Sequence, residues 1–117
     1  MDTEIFDKLE DMGAEIEDTL DRLMGDEDMY MEYLQKIPQN ENIVNLRKAV
    51  DEKNYEQALH EIHTLKGVAL NLGLLPLADV CMDMLLDFRA GENEKAAGQI
   101  DAVEKCFKEV SDIIKGE

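Results

Sequence analysis

The chain has 117 residues, 44% of them hydrophobic and 34% charged, which allows one modest core but no second substrate-binding domain. A single helical domain over 1–117 is the expectation. Its net charge of −16, from 28 acidic against 12 basic residues, repels a nucleic-acid backbone and an anionic membrane surface, so neither is an expected partner.

Helical periodicity runs through nearly the whole chain and strand alternation is almost absent. The abundance of Ala, Leu, Met, Glu and Lys supports the same reading. Segment 2–12 places Ile5, Phe6, Leu9 and Met12 on one face and stops at Gly13. Segment 14–24 carries Ile16, Leu20, Leu23 and Met24 and ends at Gly25. Asp26 can cap a third helix, with Met29, Tyr33, Leu34 and Ile37 inward, which Pro38 ends. Segment 41–52 follows with Ile43, Leu46 and Val50, breaking near Asn54.

Three longer segments come next. Segment 54–72 repeats apolar residues at Tyr55, Ala58, Leu59, Ile62, Leu65, Ala69 and Leu72, and Gly73 breaks it. Segment 75–89 starts with Pro76 in its first turn, buries Leu77, Cys81, Met84, Leu85 and Phe88, and stops at Gly91. Asn93 can cap a last helix, 94–115, with Ala96, Ile100, Val103, Phe107, Val110 and Ile114 inward. Short links between long amphipathic helices predict an all-α, up-and-down antiparallel four-helix bundle with additional short N-terminal helices.

No run approaches the roughly 18 apolar residues of a membrane span. The opening Met1-Asp2-Thr3-Glu4 lacks the basic start and apolar stretch of a signal peptide, so a cytoplasmic location is expected. Cys81 and Cys106 fall on or beside apolar stripes and read as small buried hydrophobes. With two histidines and no paired Cys/His spacing there is no zinc motif. The acidic runs Glu15-Ile16-Glu17-Asp18 and Asp26-Glu27-Asp28 lack the calcium-loop spacing, so no metal is expected. Most of the seven methionines sit at stripe positions and read as core filling, with Met31 and Met82 as exposed exceptions.

One segment is not explained by packing: His60-Glu61-Ile62-His63-Thr64-Leu65-Lys66-Gly67-Val68-Ala69-Leu70-Asn71-Leu72-Gly73. At about 100° per residue the apolar stripe centres near Ile62 and Ala69, and His63 lies about 120° away, facing solvent. Gly67 stands one turn later on the same surface, and Lys66, at i+3, flanks the imidazole. A glycine inside a helix costs about 1 kcal/mol relative to alanine. The cost has a reason if another molecule must approach His63 closely. A neutral imidazole is a nucleophile near pH 7, and a neighbouring ammonium can hold the charge of a phosphoryl group transferred to it.

The run His63-Thr64-Leu65-Lys66-Gly67, with Ala69, Leu72 and Gly73, resembles the signature of histidine-containing phosphotransfer (HPt) domains: His-x-Leu-Lys-Gly, small residues, then a hydrophobic residue and glycine. Segments 25–30, 51–55 and 89–93 resemble that family's inter-helix connections, so the likeness spans roughly 13–115. The resemblance implies that His63 is the phosphoacceptor, that Lys66 stabilises the phosphoryl group, that Gly67 gives it room, and that Gly73 ends the helix beside a neighbour. His60, Thr64, Leu70 and Asn71 then form the docking surface. Val68 and Leu70 depart from the small or polar residues common at their positions, and Leu70 fits an apolar docking patch. No residue of a preceding helix can be assigned to hold the imidazole.

The family's role implies a monomeric phosphotransfer protein of a two-component or multistep phosphorelay, a phosphocarrier without kinase or phosphatase machinery. It would exchange phosphoryl groups with receiver domains of response regulators or a hybrid histidine kinase, with no cofactor of its own and Mg²⁺ on the receiver. Two alternatives stay open: a substrate domain for a chemotaxis-type histidine kinase, and a non-phosphorylated helical signalling adaptor. The negative field implies partner surfaces with local positive charge and binding that weakens with salt. An enzyme is not expected, because no paired carboxylates, triad or phosphate-binding glycine loop stands out.

Overall fold

The computed structural model describes residues 3–116; Met1, Asp2 (the expected start of the first helix) and Glu117 lie outside the described residues. Among the described residues there is no strand. The helices are α1 (Thr3–Asp11), α2 (Ile16–Arg22), α3 (Glu27–Leu34), α4 (Glu41–Asp51), α5 (Tyr55–Asn71), α6 (Leu75–Arg89), α7 (Asn93–Ala97) and α8 (Ile100–Lys115), with a 3₁₀ turn at Ile37–Gln39. None of them is long and apolar enough to cross a membrane.

Among the described residues, side-chain caps start three helices. Asp26 accepts from the Met29 N–H at 2.9 Å, Asn40 from the Asn42 N–H at 2.8 Å, and Asn54 from the Gln57 N–H at 3.2 Å. Pro76 sits in the first turn of α6. Helix α4 packs on α5, α5 on α6, α6 on α8, and α8 returns to α4. These four helices form the expected antiparallel bundle around one continuous core that includes Leu46, Ile62, Leu65, Leu77, Met84, Val103 and Ile114. Arg47 of α4 ties the ring shut by binding Asp101 at 2.8 Å and Glu104 at 3.0 Å on α8.

The N-terminal helices cover one end of the bundle. Tyr30 is fully buried, its ring stacked on Phe6 with centroids 5.3 Å apart, and its hydroxyl donates to the Leu72 carbonyl at 2.6 Å. Burial pushes its phenol pKa up. This anchor explains a rotation in α3. Tyr30 and Leu34 face the core, while Met29 and Tyr33, expected inward, stay exposed at 38% and 39%. The helix also ends before Pro38, so Ile37 is buried from the 3₁₀ turn and not from the helical stripe.

The expected last helix is two. Gly98 and Gln99 separate α7 from α8, and Gln99 folds its amide onto Asp87 of α6. Asn93 is the first residue of α7 and caps nothing; Glu92 precedes it without a side-chain bond. Met31 and Met82 are partly buried against the core, and among the described residues the exposed methionines are Met24 and Met29. Cys81 is buried, which pushes its thiol up to about 12, while Cys106 is only half-buried.

Candidate functional site

Helix α5 is held on two sides, by α4 and α6, which leaves a strip of its surface open. His63 lies on that strip and is exposed. Neither ring nitrogen has a hydrogen-bond partner among the described residues, so no preceding helix orients the imidazole here. Lys66, one turn on, is half-buried and also lacks a carboxylate partner among the described residues. Its ammonium is therefore available to an incoming anion, unlike Arg47, which is saturated by Asp51, Asp101 and Glu104.

Gly67 completes the strip. A Cβ built there meets nothing within 4 Å, so no packing requirement keeps the position glycine. The space beside the imidazole is open to solvent. Leu70 continues the line and is 43% exposed, and His60 and Asn71 are exposed beside it. Thr64 differs from the other expected docking residues. It is half-buried, and its hydroxyl donates back to the His60 carbonyl at 3.1 Å, so its polar group is already engaged within the helix.

Gly73 ends the helix for a steric reason. Its φ is +72°, and a Cβ there would sit 2.1 Å from Thr19 Oγ1 and 2.8 Å from the Glu15 carbonyl oxygen. The Glu15 N–H donates to the Gly73 carbonyl at 2.8 Å, closing the contact between the α1–α2 connection and the α5–α6 turn. Only glycine meets both demands.

The sequence reading missed Glu61. This residue is 6% exposed, and its carboxylate accepts from Asn42 Nδ2 at 2.8 Å and Gln57 Nε2 at 2.5 Å. It ties α4 to α5 two residues before His63 and so fixes the register of the strip. Amides at positions 42 and 57 were the available signal, but only the packing of α4 brings Asn42 within reach. Among the described residues no group of three or more His, Cys, Asp or Glu side chains converges as a metal site.

The sequence pattern of the Hpt domain matches residues 28–113. Hpt domains are phosphocarriers of phosphorelays, not kinases or phosphatases, and they interact with receiver domains and kinases. No curated relative and no solved structure gives a significant match. The matched region takes in α4, α5, α6 and all but the end of α8, including the whole strip around His63, and the chain belongs to the Hpt domain family.

Proposed function

We propose that this protein is a phosphorelay carrier that accepts a phosphoryl group on His63 from the phosphoaspartate of a receiver domain and passes it to another. The observation that carries the reading is the exposed imidazole, followed by a glycine whose Cβ space is empty and a lysine without a carboxylate partner among the described residues. A lone surface histidine needs no explanation, but a helix-interior glycine beside it costs about 1 kcal/mol that packing does not explain.

In the transfer, the Nε2 lone pair of neutral His63 attacks phosphorus in line with the bond to the aspartyl oxygen. The N–P bond forms as the P–O bond breaks, and the carboxylate leaves with the electron pair. The imidazole keeps its Nδ1 proton and becomes a phosphoimidazolium. Lys66 offsets charge on the phosphoryl oxygens, and Gly67 admits the receiver to within bonding distance. Mg²⁺ chemistry, which neutralises charge on the transferring group, belongs to the receiver. His60, Leu70 and Asn71 supply contact area around the acceptor.

Incubation with phosphorylated receiver domains tests this reading. Wild-type protein is expected to take up an acid-labile, base-stable label, and His63→Gln to take up none while keeping its helical circular-dichroism spectrum. Label retained in His63→Gln overturns the assignment. Label accepted from an ATP-driven kinase but from no receiver assigns the chain to the kinase-substrate class, and binding without label to an adaptor.

A further inference from the structure

Beside the His63 strip, the surface of α5 falls into a groove of about 590 Å³, walled on the far side by α3 and the end of α2. Its floor and walls are apolar, with Leu23, Tyr33, Ile37 and Val68 among them, and two cations line it, Arg22 and Lys36. Among the described residues no carboxylate lines it, in a chain that carries 28 acidic side chains. Tyr33 is 39% exposed with the Lys36 ammonium 5.8 Å from its ring centroid, so the cation lies over an apolar wall. Arg22 spends one donor on Thr19 Oγ1 at 3.1 Å, and the rest of its fork has no partner among the described residues.

The α5 wall of the groove holds Val68 and Asn71, five and eight residues beyond His63. At 1.5 Å per residue these lie about 8 and 12 Å along the helix from the acceptor. One partner face of ordinary size, about 800 Å² per side, covers both the imidazole and the groove. The local charge is opposite to that of the whole molecule. A partner that is acidic overall is repelled at long range, but a single carboxylate set among apolar side chains is favoured in this groove.

Building on the phosphorelay reading, we infer that this groove seats a segment of the receiver partner that presents apolar side chains flanking a carboxylate. Arg22 and Lys36 grip the carboxylate and thereby select among receivers. Val68, which departs from the small or polar residues usual at its place, is then part of the apolar wall and not an accident of the strip.

The test compares three proteins: wild type, Arg22→Gln/Lys36→Gln, and Lys48→Gln/Lys105→Gln, which loses the same charge at exposed positions outside the groove. Each is given a panel of phosphorylated receiver domains at varied concentration and, separately, phosphoramidate. This small donor's N–P bond breaks to release ammonia as the phosphoryl group passes to His63, with no docking required. The groove variant is expected to raise the KM for the preferred receiver about tenfold with little change in kcat, and the gap to narrow in 0.5 M NaCl. The control variant is expected to stay within about twofold of wild type, and all three to label equally with phosphoramidate. A groove variant that matches the control, or that also loses phosphoramidate labelling, overturns the groove assignment while leaving the carrier role intact. Failure of the wild type to exchange with any receiver overturns the carrier role, and the groove assignment with it.

Discussion

Gly73 and Thr19 approach so closely that a Cβ on the glycine would lie 2.1 Å from the threonine hydroxyl oxygen. Two costs therefore fall on Gly73→Ala: a left-handed φ that an alanine adopts at about 1 kcal/mol or more, and an overlap that cannot relax into Glu15 backbone on the same side. The expected loss is about 3 kcal/mol of unfolding free energy in urea titration. Thr19→Ala added to Gly73→Ala is expected to recover part of it, because the hydroxyl is removed but the Glu15 carbonyl remains. A variant as stable as wild type would contradict the packing described.

Removing the phenol oxygen in Tyr30→Phe leaves the buried Leu72 carbonyl without the 2.6 Å hydrogen bond it accepts. The expected cost is about 1–2 kcal/mol by the same titration, with helix content retained.

At Gly67 stability and function are expected to part. Gly67→Ala fits without contact inside 4 Å and gains helix propensity, so it should stabilise the fold by about 0.5–1 kcal/mol. Transfer from a receiver should slow in Gly67→Ala and more steeply in Gly67→Gln, measured by rapid-quench labelling. Unchanged transfer in Gly67→Gln would show that the open space beside His63 is not used.

Lys66 has no carboxylate partner to lose among the described residues, so Lys66→Gln is expected to leave stability unchanged within about 0.5 kcal/mol. Phosphoryl acceptance should fall about tenfold, equivalent to about 1.4 kcal/mol in the transition state. Lys66→Arg, which keeps the charge, should retain most of the rate.

Cys81 sets an alkaline limit. Its folded-state value is raised from 9.0 to about 12 by burial, so the native state holds a proton that the unfolded chain releases. Stability from this thiol is whole below pH 9.0 and is lost as pH rises through about 12. The buried Tyr30 phenol adds in the same direction. Unfolding free energies measured from pH 7 to 11.5 should fall with a slope of up to about 1.4 kcal/mol per pH unit per group. In Cys81→Ala the slope should be shallower by one group, whatever the offset from the missing sulfur.

The long helices were legible because periodicity acts locally. Tyr55–Asn71 and Leu75–Arg89 match the expected 54–72 and 75–89 to within a residue. The strip from His63 to Leu70 was legible for the same reason, since a helical wheel needs only the helix itself. What escaped depends on distant partners. The rotation of α3 follows from Tyr30 reaching Leu72, forty-two residues away. The break at Gly98 follows from Gln99 turning to Asp87 on another helix. Buried Glu61 is decided by Asn42 on α4, and the groove is assembled from residues between Arg22 and Leu72 that no single stretch of sequence contains.

The N-terminal anchor separates two kinds of boundary. The recognisable pattern begins at residue 28, yet Phe6, which stacks on Tyr30, and Glu15 and Thr19, which meet Gly73 just past the helix that carries His63, all lie before it. A fragment trimmed to the recognisable pattern would keep His63, Lys66 and Gly67 but lose Arg22 from the groove. It would also uncover Tyr30 and strand the glycine turn that follows the histidine's helix. The unit with a recognisable pattern is thus smaller than the unit that packs around the end of the histidine's helix.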